Sequence, residues 1–458
     1  ASANGLADMV AQRLSDAIQL GILLNGERLP PEAKLAEQFG VSTVTLREAL
    51  AVLRGQRLVT TKRGRGGGTF VSAPDLDSGL RRRLRELSIA ELRDLGDHRG
   101  AVAGTTARLA AQRALPGEVA ELGRQLGRLR AARTPSGRRR AALQFSVGIA
   151  AAAQSPRLLR EEQRLAAEMG DLLWMQASDS DHDAAVAARA RLLEAIAARD
   201  ADAAGGIAEQ QVATETVRLI RLRLRAYAAD HTTGSPDLAE VGRELDGLFG
   251  VLDGLAIALA GLASAAGRGG ALRRDDLAAL RPAIVAALAR HRDLAAGTGV
   301  ITAPGVLADA PLWLEWWWTT PAGTAEQLRV NLDPAAPDFY DYTMAAWYAG
   351  AERAGDGEPQ VTGPYLDYFC TGEYTITLSV PVRLGGRFLG VAAADVLVPS
   401  LERQVMPGLL ETGRPVALTS PDGRVIAATS PRWPSGLSEP PGQATPSPLR
   451  TWRLTELE

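Results

Sequence analysis

Apolar side chains recur at helical spacing through much of the first 73 residues. They predict a helix over residues 6–18, a short helix that opens at Pro30 and stops at Gly40, and a third helix that Ser42 caps. Residues 58–61 and 69–71 then have the composition of strands, and a basic, glycine-rich loop joins them. Three helices followed by a basic hairpin predict a winged helix-turn-helix domain over residues 1–73.

The hydrophobic pattern changes twice further along the chain. Residues 79–226 show amphipathic helical patterns and almost no strand signal, which predicts an all-α bundle. Two long helical patterns, about 236–266 and 272–296, precede strand-like alternation around residues 375–380 and 388–396. We therefore expect an α+β domain over residues 235–435. Residues 436–458 are rich in Pro and Ser and are expected to form a loosely held tail.

Composition excludes several kinds of site. Cys370 is the one cysteine and the four histidines are scattered, so an intrachain disulfide, a cysteine-based zinc site and an iron–sulfur cluster are excluded. No Ser/His/Asp or Cys/His pattern is evident, and the segment GRGGGT precedes a strand instead of opening a helix, so it is not a phosphate loop. We expect no enzyme activity and no cofactor; an enzyme or ligand carrier with a vestigial helix-turn-helix is a remote alternative.

Targeting signals are also missing from the pattern. Charged residues interrupt the first apolar stretch, which argues against a signal peptide. The uncharged segment Gly254–Gly267 has 14 residues and is too short to span a bilayer. A cytoplasmic protein without a membrane partner is therefore expected.

The first 73 residues have the charge and motifs of a DNA-binding module. They carry nine Lys or Arg against six Asp or Glu, although the whole chain has a net charge of −2. A helix fits the major groove, and a glycine-rich wing lets the backbone approach the duplex while Lys62, Arg63 and Arg65 neutralise phosphates. The run GERLPPEAKLAEQFGVSTVTLREALAVLRGQRLVTTKRGRGGGTFV resembles the GntR family of bacterial transcription regulators, closest to its FadR-type branch.

This resemblance implies double-stranded operator DNA as a partner and a homodimer as the binding form. The residues that it places on DNA are Thr43, Val44, Thr45 and Arg47 in the third helix, with Arg65 and Gly66 in the wing. The family often has arginine where Ala33 and Thr43 stand. An arginine–guanine pair contributes about 1–3 kcal/mol of discrimination, so weaker base contact is expected here.

The middle segment resembles the helical FCD domain that follows the winged helix in the FadR-type branch. The segments that carry the likeness are LRDLGDHRGAVAGTTARLAAQRA, FSVGIAAAAQSPRLL and LLEAIAARDADAAGGIAEQQ. Many FCD domains hold a divalent metal with one aspartate and three histidines, and the corresponding positions here are Ala142, Ser146, Arg189 and Gln211. None of these is a good ligand, so we expect no metal and a role in dimerisation and mechanical coupling.

The C-terminal segment resembles Cache domains, the sensor domains of bacterial small-molecule receptors. Its motifs are FYDYTMAAWYAGA and GPYLDYFCTGEYTITLSVPVRLGGRFLGVAAADVLVPSLE, which occur in the family's order. In amino-acid-binding members an aromatic residue, an arginine, a Trp-Tyr pair and an aspartate surround the ligand. Here these positions hold Tyr340, Ala345, Trp347, Tyr348 and Asp395.

The missing arginine changes the expected ligand. An aspartate that binds an ammonium group, without the arginine that binds a carboxylate, favours an amine or another cationic or neutral ligand. An excess of acidic residues from residue 300 onward, eighteen Asp or Glu against ten Arg, agrees with this interpretation. The expected ligand-binding residues are Tyr340, Trp347, Tyr348, Tyr365, Asp367, Asp395 and Trp316, and Trp313, Glu315, Trp317 and Trp318 could also wall the pocket.

Together these patterns predict a ligand-responsive transcription regulator. A dimer would bind a pseudo-palindromic operator, and a metabolite bound in the Cache-like domain would release repression. Two alternatives stay open. The Cache-like domain could serve in assembly while the FCD-like domain senses an organic effector through arginines such as Arg99, and the tryptophans could be core or interface residues.

Overall fold

A computed structural model describes residues 3–19, 23, 27–56, 58–62, 64, 67–72, 76–173, 178–230, 237–269, 271–320, 322–368, 370–438 and 440–457. Its α-helices are α1 (Ala3–Gln19), α2 (Glu32–Phe39), α3 (Thr43–Gly55), α4 (Leu76–Glu86), α5 (Ile89–Arg113), α6 (Pro116–Ala131), α7 (Pro135–Ala152), α8 (Pro156–Leu173), α9 (Asp179–Ala197), α10 (Ala201–Asp230), α11 (Leu238–Gly269), α12 (Arg281–Arg290), α13 (Ala346–Arg353) and α14 (Val398–Glu411).

The strands form three separate sheets. They are β1 (Val59–Lys62), β2 (Gly68–Val71), β3 (Ala295–Thr302), β4 (Leu314–Thr319), β5 (Ala325–Gln327), β6 (Gln360–Leu366), β7 (Tyr374–Leu384), β8 (Arg387–Leu397), β9 (Val416–Thr419), β10 (Val425–Ala428), β11 (Ala444–Pro446) and β12 (Arg453–Glu456). The chain divides into two compact units: Ala1–Leu87 with Asp94–Leu219, and Ser88–Arg93 with Ile220–Glu458.

The first unit begins with the predicted winged helix. Gly40 ends α2 with a backbone φ of +66°, a left-handed conformation that favours glycine, and its N–H bonds back to the helix. Ser42 then caps α3 by accepting a hydrogen bond from the Thr45 amide at 3.1 Å. These two signals fix the turn between the helices. Strands β1 and β2 pair antiparallel from Val59 opposite Val71 to Lys62 opposite Gly68, which confirms the hairpin.

The rest of the first unit is the predicted all-α bundle, built from α5 to α10. Its core consists mainly of alanine and leucine, with Phe145 and Ile149 among the larger residues. Small side chains let these helices pack closely, because little side-chain volume separates their backbones. Turn-type residue clusters at 72–75 and 231–236 predict joins between domains, and all of these residues except Ser72 lie outside the described part of the chain.

The second unit contains the predicted α+β architecture. A six-stranded antiparallel sheet has the order β5-β4-β3-β8-β7-β6, and α11 packs against β7 and β8. Leu248, Leu252, Leu255 and Leu259 form the buried face of that helix. By length and composition α11 could also cross a bilayer: it contains an 18-residue window with mean hydropathy 1.9, of which 28% is buried. The helical pattern predicted over 236–266 corresponds to this helix, but the uncharged segment 254–267 is not an isolated stretch of 14 residues, because it is the last part of a longer apolar helix.

Two further expectations for this unit are corrected. The helix predicted over 272–296 is a 3-10 turn followed by α12, and residues 295–302 form strand β3, whose side chains are almost all buried. The expected loose tail instead adds strands β11 and β12 to a four-stranded sheet of order β10-β9-β12-β11. Trp452, which is 2% exposed, and Leu449 anchor that segment, because large apolar side chains gain most from burial.

Candidate functional site

The exposed start of α3 is the predicted reading surface of the winged helix. Thr43, Val44 and Arg47 are exposed there, and Val44 is 62% exposed although it is apolar. Arg47 pairs with Glu32 on α2 at 2.7 Å across the turn. Thr45 is the exception: it is buried, and its hydroxyl lies 2.9 Å from the Ser42 hydroxyl. Thr45 therefore stabilises the helix start and is not presented to a partner.

The wing presents basic side chains beside that helix. Lys62 is exposed, and its ammonium lies 5.2 Å from the centroid of the Phe70 ring. Arg63, Arg65 and Gly66 lie outside the described residues. Sequence reasoning missed Arg28, an exposed arginine that forms a bridge with Phe70. Its guanidinium covers Gly68, where a β-carbon would come within 2.7 Å of Nε. Local sequence patterns could not predict this contact, because it joins residues that are forty positions apart in the chain.

The four positions that correspond to the FCD metal ligands do not fit a metal ion. Ala142 is part of the apolar core, and Ser146, Arg189 and Gln211 line a cavity of about 40 Å³. Glu215 accepts hydrogen bonds there from Arg99 at 2.5 Å, from Gln211 at 3.1 Å and from Arg189 at 3.4 Å. A guanidinium at the position of a metal ligand repels a cation, so these residues hold an internal ion network instead.

The network makes Glu215 a strong acid. Burial alone would raise the pKa of Glu215, but the guanidinium groups of Arg99 and Arg189 lower it to about 2. The pKa is lower in the folded chain than its ordinary 4.5, so this stabilisation is present above about pH 4.5 and is lost as the pH falls towards 2.

We expect Glu215→Gln to destabilise the protein by about 3 kcal/mol, because it removes the carboxylate that accepts hydrogen bonds from two buried guanidinium groups. Glu209→Gln is the matched control on the same helix. Its partner Arg108 lies 2.7 Å away in an exposed pair, and the expected loss is below about 1 kcal/mol. Urea unfolding of both variants measures the difference. Equal losses would contradict a structural role for the network.

The second unit contains an aromatic cavity between the six-stranded sheet and α13. Its volume is about 30 Å³, enough for one or two water molecules. Six of the seven predicted ligand-binding residues line it: Trp316, Tyr340, Trp347, Tyr365, Asp367 and Asp395. The described lining contains these two carboxylates and no lysine or arginine.

Asp395 stands near the end of β8, opposite Thr377 on β7. The Thr377 hydroxyl donates to Asp395 at 2.7 Å and lies 2.6 Å from the Tyr365 hydroxyl, so Tyr365 donates to Thr377 in turn. Burial raises the pKa of Asp395 to about 7, the Thr377 hydrogen bond lowers it, and the nearby Asp367 raises it further. This carboxylate therefore titrates near neutral pH and has no cationic partner among the described lining residues.

Strand alternation divides the tryptophan cluster between two faces of the sheet. Trp316 and Trp318 line the cavity, and a β-carbon at Gly297 would lie 2.7 Å from Nε1 of Trp316, so glycine there admits the indole. Glu315 is absent from the described cavity lining; it is buried, pairs with Arg281 at 2.8 Å and accepts from Trp317 at 3.0 Å. Glu315 and Trp317 are therefore structural.

Tyr348 is the predicted ligand residue that the structure places elsewhere. It is 1% exposed, and its ring packs against Tyr342, Trp347 and Phe388 at centroid distances of 5.4, 5.9 and 5.7 Å. On helix α13, Trp347 and Tyr348 are adjacent and point in directions about 100° apart, so one side chain faces the cavity and the other the core. Tyr348 is a core residue.

An outer cleft of about 440 Å³ adjoins the cavity. Tyr340, Trp347, Tyr365 and Asp367 line both spaces. The outer walls add Asp341 and several apolar side chains, and the exposed Asp422 and Arg424 lie at the rim; the apolar residues are Met344, Ala345, Pro364, Leu366 and Tyr368. A small inner recess with two carboxylates and a larger, mostly apolar outer space suit a ligand with a compact head and a bulkier body.

A helix with an exposed N-terminal face beside a two-stranded basic wing defines a winged-helix DNA-binding protein. Comparison with known proteins supports the same class. The family described as "Bacterial regulatory proteins, gntR family" matches residues 6–71, and the FCD domain family matches residues 94–214.

The chain is similar to the HTH-type transcriptional regulator RmpR of Mycobacterium gastri, with 39% identity over 241 residues that cover 52% of this chain and 88% of RmpR. It is also similar to the Glc operon transcriptional activator of Escherichia coli K12, with 35% identity over 106 residues that cover 23% of this chain and 42% of the activator. Among solved structures, "Methyl-accepting Chemotaxis protein X" matches 49% of this chain and 79% of its own length, with a TM-score of 0.31 and 18% identity.

The chain therefore belongs to the GntR family of bacterial regulatory proteins. It is a transcription regulator with a winged helix and an FCD domain, and its matches are regulators, as predicted, and not enzymes.

Proposed function

We propose that this regulator binds operator DNA as a homodimer in the cytoplasm, and that a small amine in the aromatic cavity releases it from DNA. One observation carries the proposal: Asp395 lies in an aromatic cavity whose described lining offers it no cationic partner. A buried carboxylate without a counter-ion is costly, and an ammonium group from a ligand would supply that counter-ion.

The aromatic walls fit the same ligand chemistry. Trp316, Tyr340, Trp347 and Tyr365 surround the recess, and the faces of such rings attract ammonium groups by about 0.5–2 kcal/mol each. Ala345 stands where amino-acid receptors of the Cache type carry arginine, so a carboxylate next to the ammonium has no partner in the recess. A carboxylate on a longer ligand would have to reach Arg424 at the rim of the outer cleft.

The amine would act through the geometry of the dimer. A dimer reads two half-sites about one helical turn apart, so a small change in the distance between its two α3 helices weakens binding to both. Repression that the ligand relieves requires only that the amine bind the DNA-free form more tightly than the DNA-bound form.

A thermal-shift experiment with ligands of similar shape and opposite charge tests the ligand class. The full chain is melted at about pH 8 with 2-phenylethylamine, with 3-phenylpropionate, which has the same body and the opposite charge, and with L-phenylalanine. We expect the amine to raise the melting temperature in a concentration-dependent way and the carboxylate to leave it unchanged. A shift with the carboxylate and none with the amine would contradict the proposal.

The same experiment addresses a second candidate, an effector site in the FCD domain with the C-terminal domain serving in assembly. One observation favours it: Nε of Arg189 and Oε1 of Gln211 are buried without hydrogen-bond partners beside the 40 Å³ cavity. A carboxylate with a hydroxyl group could satisfy both atoms. A shift with 3-phenylpropionate that Arg189→Gln removes would favour this candidate.

A further inference from the structure

Glu402 is a buried carboxylate that lines neither the aromatic cavity nor the outer cleft. It lies on α14, is 0% exposed, and stands seven residues after Asp395. Strand β8 ends at Leu397 and α14 begins at Val398 without a loop between them. The strand that places Asp395 in the cavity lining therefore continues directly into the helix that carries Glu402.

The partners of Glu402 are the start of one helix and the end of another. Its two carboxylate oxygens accept from the amides of Ile89 at 2.6 Å and Ala90 at 3.0 Å, which are the first two residues of α5. The Tyr227 hydroxyl, near the end of α10, donates to the same carboxylate at 3.3 Å. The first amides of a helix have no partner within the helix, and a carboxylate there is stabilised by the helix dipole as well.

The cap on α5 has a local part and a distant part. Locally, Ser88 Oγ accepts from the Glu91 amide at 3.0 Å, and Glu91 accepts from the Ser88 amide at 2.7 Å. That pair satisfies the amides of Ser88 and Glu91 and leaves those of Ile89 and Ala90 to Glu402, more than three hundred residues away in the sequence. The charged group that acts on Glu402 is Arg223 on α10, and the neighbouring Arg403 on α14 lies 4.0 Å from Glu91 in the first turn of α5.

We propose that Glu402 is the coupling residue of this regulator: it ties α14 to the first turn of α5 and the last turns of α10, the two helices that continue into the FCD bundle. Residues 94–113 of α5 and 201–219 of α10 belong to the unit that carries the winged helix. Glu402 contacts the parts of α5 and α10 that belong to the second unit, and in the proposed coupling a displacement of α14 is passed to both helices at these contacts. The coupling does not depend on which ligand the cavity takes.

Two variants separate the two contacts. Glu402→Gln keeps the size of the side chain but turns an amide NH2 towards one of the two backbone donors, so one of the two cap bonds is lost. Tyr227→Phe removes the bond to α10 and leaves the cap intact. Val405→Ala is the stability control, because it removes buried apolar atoms from the same helix without touching this carboxylate's hydrogen bonds.

The readouts are hydrogen exchange of the full chain and its affinity for a labelled DNA fragment from directly upstream of its own gene. Burial raises the pKa of Glu402 to about 7, so both are measured at about pH 8, where the carboxylate is charged. We expect Glu402→Gln to speed exchange of residues 89–92 at least about tenfold and to weaken DNA binding at least about threefold. Tyr227→Phe should speed exchange of residues 224–230, leave residues 89–92 within about twofold, and weaken DNA binding less than Glu402→Gln.

Two results would overturn the proposal. Unchanged exchange of residues 89–92 in Glu402→Gln would show that the cap contributes nothing in solution. Faster exchange with unchanged DNA affinity, or an equal loss of affinity in Val405→Ala at the same loss of melting temperature, would show that Glu402 only stabilises the fold. Unlike the amine proposal, this test contains no ligand, so a failed thermal shift leaves its outcome readable.

Discussion

Asp395→Asn is expected to abolish the thermal shift with 2-phenylethylamine and, at the same time, to make the ligand-free protein more stable at about pH 8. Both effects follow from one carboxylate. The variant removes the negative charge that would pair with the ammonium group, and it removes a buried charge for which the described cavity lining offers no counter-ion.

The direction of the stability change follows from the pKa. Asp395 ordinarily titrates near 3.8, and burial in the folded chain raises its pKa to about 7. Its favourable contribution is therefore complete below about pH 4 and is lost as the pH rises through 7, so the charged form is a cost at pH 8. The cavity gives the carboxylate some contact with water, so we expect a gain of about 2 kcal/mol from the asparagine and not the full value of the shift.

The same pKa predicts how amine binding depends on pH. The ammonium binds the deprotonated carboxylate, so the affinity of the wild-type protein should fall about tenfold for each pH unit below 7 and level off above it. Calorimetric titration between about pH 6 and 8 measures this. Asp356→Asn is the control: it removes an exposed carboxylate that pairs with Arg383 at 3.3 Å in the same domain, and it should change stability by less than about 1 kcal/mol and leave binding unchanged. Amine affinity that is flat across this range would exclude Asp395 as the partner.

Substitutions of basic residues on the winged helix are expected to have large effects on DNA binding. Arg47→Ala should weaken binding to the upstream fragment by about 1–3 kcal/mol and reduce the preference over unrelated DNA, because Arg47 is exposed at the reading end of α3. Lys62→Ala should weaken binding to both kinds of DNA similarly and lower the slope of log affinity against log salt by about 1, because the wing contacts phosphates.

Fluorescence anisotropy at several salt concentrations distinguishes the two effects. Arg54→Ala is the control: this arginine is at the far end of the same helix and donates to the Leu50 carbonyl at 3.2 Å. It should change affinity less than about twofold. Equal effects of Arg47→Ala and Arg54→Ala would show that the start of α3 is not the reading surface.

Local signals explain why the winged helix could be predicted closely. Gly40, Ser42 and the glycine-rich hairpin act within a few residues of their own position, so the sequence window that contains them is enough. Thr45 is a residue that the family resemblance placed on DNA but the structure buries. Its hydroxyl contacts the Ser42 hydroxyl, so the side chain does not lie on the reading surface.

The lining of the cavity could not be predicted fully from local sequence, because it depends on contacts between residues that are far apart in the chain. Its aromatic residues and Asp395 could be expected from the resemblance, but the division between Trp316 and Trp317 follows from the register of β4 in the sheet. Strand β3 resembled the end of a helix because its apolar residues lie on both faces of a central strand and show no alternation. The contacts of Glu402 with Ile89 and Ala90 join residues from opposite ends of the chain.

One titration tests whether an amine in the Asp395 cavity controls DNA binding. The full chain is bound to the labelled upstream fragment at about pH 8, and 2-phenylethylamine is added while anisotropy is recorded. We predict that the amine weakens DNA binding of the wild-type protein at least about tenfold and leaves Asp395→Asn bound. An amine concentration that saturates the thermal shift but leaves the wild-type complex intact, or releases Asp395→Asn equally well, would show that an amine at Asp395 does not control DNA binding.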